Sequence, residues 1–167
     1  MSSKAHKADA PESLKLAIVT VSTTRSLSED KSGHWMKRQT EKRHKVVFHG
    51  VVPDDRDLVA QTIHTLIQEH GPHAILVTGG TGITPSDMTI EAIRPMFSKE
   101  LTAFGPLFAL LSYESIDSAA LLSRATAGIV DQTLVFCLPG SLNACKLACK
   151  ALIFRELGHL VKHMQET

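Results

Sequence analysis

The 167-residue sequence is short of several things, and each shortage excludes something. Excess charge is almost absent: 18 Lys and Arg against 17 Asp and Glu leave a formal net charge of +1, with neither half notably basic or acidic. A dedicated DNA- or RNA-binding surface draws its affinity from clustered cations, so nucleic acid is not an expected partner. Long apolar runs are missing too. None exceeds the five residues seen at Leu107–Leu111, whereas a membrane-spanning helix needs about 20. Met1–Glu12 mixes Lys4, Lys7, Asp9 and Glu12 with no apolar stretch, unlike an export signal. Residues 1–13 are therefore expected to form a flexible arm ahead of a single domain over 14–167. Cysteine is scarce and odd in number (Cys137, Cys145, Cys149), so a disulfide framework is not expected and the compartment is read as a reducing cytoplasm. Cys145 and Cys149 stand four apart on one helix face, but structural zinc wants four ligands, and small core residues account for them better. The nine histidines include one HxxxH pair, His159 and His163, read as part of a solvated tail. Neither a GxGxxG fingerprint nor a P-loop is present.

What is present alternates between two patterns. Short apolar, β-branched runs at Lys15–Val21, Val46–Val52, Ala74–Thr78 and Thr133–Leu138 read as strands, the first of them buried. Between them the spacing predicts helices from Asp30 or Ser32 to about Lys45, from Asp55 to His70, from Asp87 to Phe97, and from about Leu101 to Glu114. A last long helix follows Pro139-Gly140-Ser141, with Cys145, Ala148, Cys149, Leu152 and Ile153 on one face and a bend or end at Gly158. Ser115–Val130 is expected to add a hairpin. Strands alternating with helices predict a three-layer α/β/α domain around a mostly parallel sheet.

Parallel strands end at one sheet edge, and ligands bind outside those ends. Four strand ends therefore matter together: Ser22-Thr23, Asp54-Asp55, Thr78-Gly79-Gly80-Thr81-Gly82, and Pro139-Gly140-Ser141. Two of them are glycine-containing turns, which can aim successive backbone N–H groups at a phosphate or carboxylate. Asp54 and Asp87 also follow strand ends and would repel a bare phosphate. A magnesium ion bridging carboxylate and phosphate oxygens removes that conflict. The competing explanation is helix capping, by Asp54 or Asp55 before Leu58 and by Asp87 before Ile90. No Ser-His-Asp or Cys-His arrangement can be argued from spacing. Phosphoryl or nucleotidyl transfer needs none, because its catalysis rests on positioning and charge stabilisation.

The segment Gly79-Gly-Thr-Gly-Ile-Thr-Pro-Ser-Asp-Met-Thr-Ile-Glu91 resembles the signature of the MogA/MoaB family of molybdenum cofactor biosynthesis. Asp30-Lys-Ser-Gly33, Glu100-Leu-Thr-Ala-Phe-Gly105, Leu111-Ser-Tyr-Glu114, Leu122-Ser-Arg-Ala-Thr-Ala-Gly128 and Leu138-Pro-Gly-Ser141 follow in family order. The resemblance spans about residues 14–162. It implies a MogA/MoaB-like molybdopterin-binding domain, assembled as a homotrimer or homohexamer, that adenylylates molybdopterin with Mg-ATP and releases pyrophosphate. Carried over by motif, Asp54 and Asp87 would serve turnover and magnesium, and Gly79, Gly80, Thr81 and Gly82 would form the phosphate loop. Ser22, Ser112, Pro139, Gly140 and Ser141 would lie around the ligand. Three positions depart from the pattern. Ser86 stands where the family often has Arg, and Pro106 and Ala109 stand where it often has Glu and Arg. Arg124, Arg25 and Lys146 are the candidates to compensate. The departures raise one alternative, a non-catalytic pterin- or nucleotide-binding paralogue acting as scaffold or carrier.

Overall fold

The computed structural model describes residues 13–166, so nearly all of the expected N-terminal arm lies outside the described residues. The strands are β1 (Lys15–Val21), β2 (Lys45–Val52), β3 (Ala74–Thr78), β4 (Lys99–Glu100), β5 (Thr126–Val130) and β6 (Thr133–Leu138). The helices are α1 (Lys31–Thr40), α2 (Arg56–His70), α3 (Thr89–Ile93), α4 (Phe104–Ile116), α5 (Leu142–Ala148) and α6 (Phe154–Gln165). One six-stranded sheet has the order β2-β1-β3-β6-β5-β4. Its first four strands are parallel, and β5 and β4 join antiparallel.

Alternate side chains of β1 go to opposite layers, as a strand's period of two requires. Leu16 and Ile18 join Trp35 and Met36 of α1, Phe104 and Phe108 of α4, and Cys145, Cys149, Ile153, Leu157 and Val161 of the C-terminal helices. Ala17, Val19 and Val21 join Val59, Ile63 and Ile67 of α2 and Ile90 and Ile93 of α3. Both faces of β1, β3 and β6 are therefore covered, which is why those three read as continuous apolar runs, whereas β2, at the sheet edge, is only half-buried. The expected three-layer α/β/α architecture is the observed one.

Several boundaries differ from the sequence expectation, each for a local reason. The first helix stops at Thr40 rather than near Lys45, because residues 41–44 turn back on it and deliver the Lys45 N–H to the Leu14 carbonyl at 2.8 Å. Asp87 and Met88 stay outside α3, whose first residue, Thr89, is committed to the carbonyls of Gly79 and Gly80. Pro106 does not interrupt α4: it sits in the first turn, where its missing N–H has no intrahelical acceptor anyway. The expected hairpin is real but is made by β5 and β6, through Asp131 and Gln132 at left-handed φ values of 43° and 63°. Gly158 does not end α6, which runs on to Gln165. The irregularity falls instead at Cys149–Ile153, a single wide π-type turn. Buried Cys145, Cys149, Ile153, Leu157 and Val161 repeat every four residues. Such a row drifts around a 3.6-residue helix, and the wide turn returns it to the core. His159 and His163 lie on α6, not in a solvated tail, with their Nε2 atoms 2.8 Å apart.

Candidate active site

The chain leaves β1 to one side for β2 and then crosses back to place β3 on the other side of β1. The carboxyl ends of β1 and β3 are thus the switch point of the parallel strands, where a crevice is expected. A cleft of about 630 Å³ opens there, lined among others by Ser22, Thr23 and Arg25 after β1, Asp54 after β2, Gly79–Gly82 after β3, and Pro139 and Gly140 after β6. That volume is ordinary for a small-molecule site.

The glycines are needed where they stand. Gly79 and Gly80 have φ values of 92° and 65°, the left-handed region that glycine enters without penalty. A Cβ on Gly79 would run into the Val21 carbonyl oxygen, and one on Gly80 into the Thr89 hydroxyl. The loop after β3 is therefore folded directly over the end of β1, with its backbone as the cleft floor.

The two carboxylates are not caps. Asp55, not Asp54, caps α2, its Oδ1 accepting from the Leu58 N–H at 2.8 Å. Asp54 instead accepts from the Thr23 N–H (2.8 Å) and hydroxyl (2.9 Å), tying the loops after β1 and β2 together beside the glycines. Asp87 makes no capping bond to α3, whose flanking residue is Met88. Its Oδ2 accepts from the Thr84 hydroxyl at 2.7 Å and N–H at 2.9 Å. The Thr84 hydroxyl holds the Asp87 carboxyl below the usual carboxylate range. The N–H groups of Thr84 and Gly82 and the Arg124 charge add to this, and together they outweigh burial. Asp87 is thus an anion at neutral pH on the rim of a cleft whose glycine turns suit anions.

Ser22, Gly79, Gly80, Thr81, Gly82, Pro139, Gly140, Asp54 and Asp87 all line this cleft. Ser112 and Ser141 do not; they line a neighbouring depression that shares Leu122 and Pro139 with it. Ser141 caps α5 through a 3.1 Å bond from the Ala144 N–H. Of the departures, Ser86 lies at the cleft and shares a 3.1 Å contact with the Thr84 hydroxyl. Pro106 lines a different pocket, with Arg94, Glu100 and Arg124, and Ala109 lies further along α4. Arg25 lines the cleft. Arg124 pairs with Glu91 and donates to the Gly82 carbonyl at 2.8 Å, bracing the glycine loop. Sequence reasoning missed Thr23 and Thr84 as tethers of the two acids, although each is a hydroxyl residue in the turn nearest its partner. It also missed Leu122, which reaches the cleft from the segment after α4.

Residues 17–159 match the family model described as a probable molybdopterin binding domain. The chain belongs to that family. It is 44% identical to the molybdenum cofactor biosynthesis protein B of Bacillus subtilis, with 99% of each chain covered. It is 41% identical to the molybdopterin adenylyltransferase of Pyrococcus furiosus over 96% of this chain and 97% of that one. A crystal structure of a molybdenum cofactor biosynthesis protein B superposes with a TM-score of 0.91 at 38% identity, covering 95% of this chain and all of the other. Membership agrees with the resemblance carried by Gly79–Glu91. No helix among the described residues is long and apolar enough to cross a membrane.

Proposed function

We propose that the chain acts in molybdenum cofactor biosynthesis as a molybdopterin adenylyltransferase. The observation that carries this reading is one cleft in which two tethered carboxylates meet two glycine turns. The full-length similarity to a protein named molybdopterin adenylyltransferase supports it. A phosphate oxygen of molybdopterin attacks the α-phosphorus of ATP; the new P–O bond forms as the bond to the β-phosphate oxygen breaks, and pyrophosphate leaves with the electron pair. Gly80, Thr81 and Gly140 bind phosphate oxygens through backbone N–H groups, with Gly79, Gly82, Pro139 and Ser22 completing the cleft wall and Ser112 and Ser141 in the adjoining depression. Such fixed donors stabilise charge without reorganising during the reaction.

Magnesium fits the donor set. Asp54 and Asp87 offer hard oxygen ligands, and no group of three or more His, Cys, Asp or Glu able to hold a metal occurs among the described residues. An ion held by one or two carboxylates together with nucleotide phosphates is the usual magnesium arrangement. When bound, it would neutralise charge on the phosphates. Asp54 stays fixed on Thr23 and Asp87 on Thr84. Arg25 supplies a cation to the cleft where Ser86 is neutral, and Arg124, paired with Glu91, acts through the glycine loop that it braces.

The scaffold or carrier alternative loses ground because Pro106 and Ala109 stand outside the cleft. Three buried free thiols suit a reducing cytoplasm. α4 is apolar on nearly all sides, yet Leu107, Leu110, Tyr113 and Ile116 are exposed in the single chain. A helix apolar all round is normally buried, which supports a homotrimer or homohexamer packed on this face. Incubation with molybdopterin and Mg-ATP is expected to give adenylylated pterin and pyrophosphate in equal amounts. No product at high protein concentration would contradict the reading.

A further inference from the structure

The two glycine turns are held by donors that come from behind them. A peptide unit is planar and trans, so its C=O and N–H point in opposite directions. The Thr89 hydroxyl donates to the Gly79 carbonyl at 2.8 Å, and the Thr89 N–H donates to the Gly80 carbonyl at 3.0 Å. In the adjoining turn after β6, the Thr78 hydroxyl donates to the Pro139 carbonyl at 2.8 Å and the Ser32 hydroxyl to the Gly140 carbonyl at 2.9 Å. All three hydroxyl residues are buried, and they come from the ends of β3, α1 and α3. Ser32 is itself placed by Asp30, a fully buried carboxylate that accepts from the Gly33 N–H, the Thr20 hydroxyl and His49. Holding four carbonyls on the protein side turns the N–H groups of Gly80, Thr81, Gly140 and Ser141 the other way, and Gly80, Thr81 and Gly140 line the cleft.

We infer that Thr89, Thr78 and Ser32 are positioning residues: their buried hydroxyls hold the carbonyls of both turns away from the cleft, so that the N–H groups form one receptor for a linked chain of phosphates. A carbonyl oxygen swung into the cleft would repel the same anion that an N–H attracts, so the hydroxyls act on affinity without touching the ligand. Arg124 holds a further carbonyl of the same loop, that of Gly82. The inference rests on the anion-binding reading of the cleft.

The test is calorimetric titration of the full chain with inorganic tripolyphosphate in the presence of magnesium, with the melting temperature measured in parallel. Thr89→Val keeps the side-chain shape and removes the hydroxyl; it is expected to raise the dissociation constant about tenfold, the scale of one hydrogen bond. Thr89→Ser keeps the hydroxyl and should hold affinity within about twofold. Ser32→Ala, on the adjoining turn, should weaken binding on the scale of Thr89→Val, and it decides the matter if Thr89→Val does not fold. A purely structural role would lower the melting temperature and leave the affinity of the folded protein unchanged. That result, or equal losses in Thr89→Val and Thr89→Ser, would overturn the inference. A wild-type protein that does not bind tripolyphosphate would overturn the anion reading and this inference with it. Absence of adenylylated pterin, with the tripolyphosphate pattern intact, would overturn the adenylyltransferase reading alone.

Discussion

Asp54 and Asp55 are neighbours with the same side chain and different partners. One is turned to Thr23 at the cleft, the other to the Leu58 N–H at the start of α2. Spacing alone permits either residue to cap the helix, and only the direction in which the chain leaves β2 separates them. The same is true of Asp87, whose partner Thr84 lies three residues back rather than in the helix ahead. Two histidines show how a residue's surroundings become a pH dependence. His44 Nδ1 accepts from the Leu14 N–H and His73 Nδ1 from the Lys15 N–H, so both must be unprotonated there to anchor the start of β1. Burial, and secondarily the charges of Arg43 and Lys15, hold their imidazoles below the ordinary value of 6.5. The unfolded chain therefore binds protons first as pH falls. The stabilisation from these two histidines is complete above pH 6.5 and is lost as pH drops towards their folded values. Melting temperature should fall as pH is lowered from about 7 to about 5, and a His44→Gln, His73→Gln double variant should flatten that slope. An unchanged slope would remove these histidines from the account.

Elements were legible in the sequence to the degree that one physical pattern dominated them. β1, β3 and β6 are buried on both faces and show as apolar runs between turn residues, β2 is a half-buried edge strand that still shows through its valines, and α2 shows through a cap at Asp55 and a left-handed Gly71. β4 is two residues long and pairs only with β5, too little to leave a pattern. The wide turn at Cys149–Ile153 comes from a four-residue burial repeat, whereas Gly158 draws attention without ending α6. The β5–β6 hairpin offers a test at this scale. Its two turn residues, Asp131 and Gln132, both adopt left-handed backbone without being glycine, in the geometry that favours Asn-Gly or Asp-Gly. Gln132→Gly should stabilise the fold by about 0.5–1 kcal/mol, read as a rise of about 1–4 °C in melting temperature. A fall would mean that the Gln132 side chain contributes more than its backbone costs.

At the scale of the whole molecule, the site follows from strand order. Because β1 lies between β2 and β3, the loops after β1 and β3 must open away from each other's helices, and the loops after β2 and β6 close the cleft's ends. The strand-end residues are readable as a group from the sequence alone, since a parallel sheet puts all its strand ends on one edge. The exclusion of Ser112 and Ser141 from the cleft is not, because it depends on how far α4 and α5 stand from that edge. The apolar exterior of α4 belongs to this scale as well. Light scattering should give a mass of three or six copies, and Leu110→Glu, at an exposed position, should reduce it without unfolding the chain. A wild-type mass of one copy would contradict the proposed assembly. The central claim, a cleft that transfers an adenylyl group with Asp87 serving chemistry rather than the fold, is tested most directly by Asp87→Asn. Asparagine can still accept from Thr84, so the melting free energy should change by no more than about 1 kcal/mol, while loss of the charge should cut formation of adenylylated molybdopterin by about a hundredfold or more. Product formed at the wild-type rate, or activity and stability falling together, would contradict the account.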